Sequence, residues 1–154
     1  WQDGLTPAQT VALFPGSYMV AIEDDGGRSG FVPLLVGAYI TGLTAPDPQH
    51  RFDIALSPSF DIARDNGDPL KWLDVQVIVD GQVYTRFETA AMLTADRRFC
   101  VTATPSGMSP TGAPLYSAVT VHVRGDAAAT ATGAHPVRLV IEGVESNPVW
   151  LEVP

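Results

Sequence analysis

The sequence predicts an all-β fold, an antiparallel β-sandwich of the jelly-roll or immunoglobulin-like kind, from three observations. Short β-branched runs alternate apolar and polar residues along most of the chain. Thirteen prolines and fourteen glycines punctuate those runs at roughly regular spacing. One hairpin is spelled out between Trp72 and Phe87. Together they give about eight or nine strands and one or two short helices, in a single domain over residues 1–154.

Leu5-Thr6-Pro7-Ala8-Gln9 has the marks of a helix start, with Thr6 as cap, Pro7 in the first position and Gln9 placed to reach back. Phe14-Pro15-Gly16 stops that helix. Ser17 to Glu23 alternates, with Tyr18, Val20 and Ile22 on one face, and Asp24 to Gly30 is a glycine-rich turn. Phe31 to Ile40 lacks polar alternation, so both of its faces are expected to be covered, by core on one side and a partner on the other. After a loop from Leu43 to Gln49, Arg51 to Leu56 directs Phe52, Ile54 and Leu56 inward, and Ser57 to Pro69 is a longer connection.

The Trp72–Phe87 hairpin follows. Leu73, Val75, Val77 and Val79 share one side of an extended chain, and Asp80-Gly81 tolerates the positive φ of a two-residue turn. Trp72 is expected to cover one end of the valine face. Glu88 to Asp96 is the second candidate helix, entered through Thr85 and Glu88. Phe99 to Thr104 and Leu115 to Arg124 are strands on either side of a Ser/Thr/Gly/Pro loop. Gly125 to Ala134 is a weakly specified connection, and Val137–Glu142 and Val149–Val153 close the chain.

Nine basic against seventeen acidic residues give a net charge of −8. Nucleic-acid binding needs a concentrated positive surface, whereas the arginines here are scattered and only Arg97 and Arg98 are adjacent. No binding of nucleic acid through this segment is therefore expected. The most apolar run, Phe31 to Leu43, is too short and too broken by Pro33, Gly37 and Gly42 to insert into a membrane as a helix. A single cysteine, Cys100, excludes an internal disulfide and multi-cysteine zinc sites, and its place in a strand makes it a small, partly buried thiol. The chain begins at Trp1 and ends on an apolar strand without a polar tail, so both ends read as cut.

Chemistry-bearing motifs are few. No G-x-S-x-G turn and no phosphate-cradling loop occurs, and His50, His122 and His135 lack the spacing of a zinc protease. His122 stands out because it projects from a strand beside Thr120 and Arg124. An enzyme would need a pocket joining such a histidine to a carboxylate. Asp61, Asp65 and Asp68, with Asn66, are weak candidates for a metal site, because their spacing fits an ordinary turn better than a calcium loop. No cofactor is implied. Arg124-Gly125-Asp126 is a tripeptide with a known recognition use when displayed at a loop tip, although glycine and aspartate also suit a turn for its own sake.

The expected function is non-enzymatic. It is that of a structural or assembly protein, such as a viral or phage capsid, capsid-decorating or surface-appendage protein that self-associates or joins another structural protein. The expected interaction residues are Phe31, Leu34, Leu35 and Tyr39, with Arg124, Gly125 and Asp126 as a second candidate. A virion or an extracellular surface is the favoured setting. The alternative is an extracellular module that recognises carbohydrate or protein through Tyr39, Trp72, Tyr84, Tyr116 and Trp150.

Overall fold

A computed structural model of the chain describes residues 16–57, 74–87, 93–108 and 114–154. In chain order these residues form β1 (Gly16–Val20), β2 (Glu23–Asp24), β3 (Gly27–Arg28), β4 (Val32–Val36), β5 (Ile40–Leu43), β6 (Arg51–Leu56) and β7 (Val75–Val79). There follow β8 (Gln82–Arg86), β9 (Arg98–Met108), β10 (Pro114–Arg124), β11 (Gly133–Ile141), β12 (Val144–Glu145) and β13 (Val149–Val153). The protein is all-β, and no helix occurs among the described residues.

The Asp80-Gly81 hairpin forms as its sequence requires. Asp80 at φ 49° and Gly81 at φ 75° both take the left-handed conformation that matches the twist of two antiparallel strands. β7 and β8 pair from Val77↔Tyr84 to Val79↔Gln82. A second turn of the same sense, Glu142 at φ 51° and Gly143 at φ 77°, joins β11 to β12.

Nine strands hydrogen-bond into one curled sheet in the order β12-β11-β7-β8-β9-β10-β6-β5, with β13 also on β11. Every pairing in it is antiparallel except β8 with β9, which is parallel. That corrects the expectation of a purely antiparallel pair of sheets. A parallel neighbour requires a crossover, and the chain between Arg86 and Arg98 supplies it. The helix expected over Glu88–Asp96 is absent from the described part of that crossover. Leu93 to Arg97 run as turns and bends, with Arg97 at φ 58°. The helix expected after Thr6 and the end-covering position of Trp72 lie outside the described residues.

The curl has one apolar interior. Alternation delivers Phe52, Ile54 and Leu56 from β6, Val75, Val77 and Val79 from β7, and Val119, Val121 and Val123 from β10 to a single buried cluster, with Val137, Leu139 and Ile141 from β11. Cys100 is fully buried.

Asn147 bonds the two ends of the curled sheet to each other. Residues 146–148 bulge between β12 and β13, where Val140 still pairs with Glu145 and Val137 with Val149. Ser146 bridges the bulge, its N–H donating to the Leu139 carbonyl and its hydroxyl accepting the Leu139 N–H. The next side chain, Asn147, reaches the opposite edge strand. Its Oδ1 accepts the Ile40 N–H at 2.6 Å, and its Nδ2 donates to the Ile40 carbonyl at 3.1 Å. A side-chain amide thus takes the place of a strand residue beside β5.

Candidate functional site

Residues 16–36 form an arm outside the curled sheet. β1 pairs with β4 from Gly16↔Val36 to Val20↔Val32, and the β2–β3 ladder extends the hairpin. Between the two ladders Ser29 ties the legs together: its N–H donates to the Ile22 carbonyl and its Oγ accepts the Ile22 N–H, each at 2.8 Å. A strand without polar alternation carries apolar side chains on both faces. Here neither face is covered. Met19, Ile22, Phe31, Val32 and Leu35 are 54–69% exposed, Leu34 is 38% exposed, and no β4 side chain belongs to the core cluster. Core was expected on one side of Phe31–Ile40. Among the described residues it reaches only Ala38 and Ile40, and Tyr39 between them is 62% exposed.

The arm is rooted against the body at Gly37. A Cβ there would run into the carbonyl of Glu145, so only glycine lets the chain pass so close to β12. The arm therefore leaves the body at the Asn147–Ile40 junction, where the sheet ends meet.

Beyond that junction the two edge strands separate. A groove of about 420 Å³ opens between them, lined by Ile40 to Ala45 on one wall and Val149 to Glu152 on the other. Its backbone polarity follows from strand alternation. The Pro136 carbonyl accepts the Asp80 N–H, so Pro136 turns its backbone groups away from its partner Trp150. Trp150, and Glu152 two residues on, therefore direct their own N–H and C=O groups into the groove. On the far wall Thr44 bonds to Asp53 of β6, which leaves the groups of Leu43 facing the groove. The Trp150 ring, 58% exposed, stands at the rim.

The tripeptide Arg124-Gly125-Asp126 is held within the fold. The Arg124 guanidinium donates to the Leu93 carbonyl and to Asp96, and the buried Gly125 donates its N–H to the His50 carbonyl. Asp126 accepts the Ala129 N–H at 2.8 Å and pairs with Arg97 at 2.7 Å. The Ala129 amide, with the Arg97 guanidinium second, holds the Asp126 carboxyl below the usual carboxylate range. These bonds shape the turn after β10.

His122 lies in a cross-strand trio that the sequence did not reveal. Asp53 on β6 and His122 on β10 are register partners on the outward face, and Thr102 on β9 lies diagonally beyond. His122 Nδ1 is 2.7 Å from Asp53 Oδ1, and its Nε2 is 2.8 Å from Thr102 Oγ1. A neutral ring protonated on Nδ1 satisfies both contacts, donating to the carboxylate and accepting from the hydroxyl. Asp53 and His122 line a cleft of about 340 Å³ with Asp47, Arg51 and Leu93, but the Thr102 hydroxyl does not line it. The histidine–carboxylate condition for an enzyme is met, while the hydroxyl bonded to the ring does not line the cleft.

His135 also meets an acid, with Nδ1 2.7 Å from Asp80 Oδ2 and Nε2 2.8 Å from the Ala131 carbonyl. The expected metal candidates Asp61, Asp65 and Asp68 lie outside the described residues, and among the described residues no cluster of side chains suits a metal ion. Of the aromatic platform, Tyr84 is buried and Tyr39 and Trp150 are exposed. Trp72 and the Tyr116 side chain lie outside the description. No protein-family model, curated protein or solved structure matches this chain.

Proposed function

We propose that this chain is a non-enzymatic structural protein that self-associates through its β1–β4 arm, of the capsid, capsid-decorating or surface-appendage kind. The observation that supports this reading is the arm's apolar surface, exposed on both faces. A lone two-stranded hairpin is marginal in water and needs something to pack against. The exposed apolar side chains from Met19 to Tyr39 present on the order of 800 Å² per copy, the contribution each partner makes to a standard specific interface. Closed symmetric association covers such a surface with no further component.

The same reading takes the curled sheet as sandwich-like, its two halves packed face to face over the shared core, on a virion or an extracellular surface. The alternative, a binding module for carbohydrate or protein, is supported by the exposed rings of Tyr39 and Trp150.

Light scattering or sedimentation over a range of concentrations tests the assembly reading. The expected mass is at least twice the 16.4 kDa of one chain, falling to one chain in a Phe31→Ser/Leu35→Ser double variant. A wild-type chain that stays monomeric up to about 1 mM, where even weak specific association shows, overturns it.

A further inference from the structure

We infer that the groove between β5 and β13 is a strand-acceptor site, filled in the assembled protein by the β1–β4 arm of a second copy. This rests on the assembly reading and names where the arm goes.

The groove has what an incoming strand needs. The backbone groups of Trp150 and Glu152 on one wall and Leu43 on the other face into it, and neither edge strand has another strand partner among the described residues. An extended segment laid between them gains main-chain hydrogen bonds on its flanks, which is how added strands bind sheet edges. Both walls run away from the Asn147–Ile40 junction in the same chain direction, so a straight insert can follow both. Ile40, Leu43, Leu151 and Trp150 give the groove apolar surface beside the polar Thr41, Thr44 and Glu152, and the apolar part suits an insert with apolar side chains. The arm is a two-stranded hairpin with apolar side chains on both faces. Neither leg has a further strand partner among the described residues, so its two outer edges can meet the two walls.

A second copy is favoured over an unrelated peptide by where the arm starts. Gly37 roots it against Glu145 at the closed end of the same groove. Donor and acceptor therefore adjoin in each copy. A two-fold axis near the junction lets each arm fill the other copy's groove, leaving no donor and no acceptor over. The arm's exposed apolar side chains, from Met19 to Leu35, present an area of the order that each partner contributes to a stable dimer.

The test measures solution mass for the wild type, the Phe31→Ser/Leu35→Ser arm variant, and two groove variants. Glu152→Pro replaces an N–H that points into the groove and not at β11, a placement that edge strands tolerate. Trp150→Glu puts a charge on the exposed rim. Circular dichroism reports whether each variant is folded. The inference expects a wild-type dimer and folded monomers from the arm variant and both groove variants. If the wild type is monomeric, the assembly reading and this inference fall together. If the arm variant is monomeric while the folded groove variants remain dimers, the arm mediates assembly but docks elsewhere, and this inference alone is overturned. Should Glu152→Pro not fold, Trp150→Glu decides by the same criterion.

Discussion

Asn147 and Ile40, 107 positions apart, bond to each other through both groups of the Asn147 amide, Oδ1 to N–H and Nδ2 to C=O. A primary amide carries the same donor and acceptor as a peptide group, so it can stand where the next strand would be. Replacing Asn147 with Leu keeps the approximate size and removes both bonds, leaving the partly buried Ile40 groups unpaired. The expected loss is about 1–3 kcal/mol of unfolding free energy, measured by urea denaturation. Unchanged stability would show that the sheet ends are held together by other contacts.

The His135 ring contacts two acceptors, the Ala131 carbonyl and the Asp80 carboxylate. Both ring nitrogens can donate only in the protonated form. The Ala131 carbonyl, followed by Asp80 and opposed by burial, raises its pKa above the ordinary 6.5. A histidine whose folded pKa is raised adds stability that is fully present below the unfolded value and is lost as pH rises through the folded one. Wild type should therefore be more stable than His135→Gln by a margin that is wide near pH 5.5 and narrows toward about pH 8.5. Paired denaturation curves at those two pH values check it, and a margin independent of pH would contradict the assignment.

Those two sites mark the limit of what the sequence discloses. Local rules reach far: the valine alternation of β7 and β10, the inward Phe52-Ile54-Leu56 of β6 and the Asp80-Gly81 turn follow from spacing and turn chemistry. What is missing depends on register between distant segments. Gly133 to Pro136 carries no strand signal, yet it is paired because β13 returns along it. Glu142 at positive φ is held by its partner, the Glu142 carboxylate accepting the Asp74 N–H and the Glu142 N–H donating to the Asp74 carbonyl. The Asp53–His122–Thr102 trio draws on three strands, and only His122 drew attention by itself. The Phe31–Ile40 run was legible as an unusual apolar surface, but its lifting off the body as an arm was not, because hydropathy cannot say which faces find a neighbour.

The central hairpin separates two kinds of valine. Val77 is fully buried in the core cluster, whereas Val83, on the returning strand, is 58% exposed. A carboxylate at position 77 would lie among apolar side chains without a partner, a burden comparable to the whole stability of about 5–15 kcal/mol available to a small domain. Val77→Asp should therefore abolish the cooperative unfolding transition and expose the core to a hydrophobic dye. The same change at Val83 meets water and forfeits only strand propensity, about 1 kcal/mol or less. Circular dichroism and urea denaturation of the two variants side by side make the comparison. A folded Val77→Asp variant that had merely lost self-association would mean that the valine face is an assembly surface rather than the core.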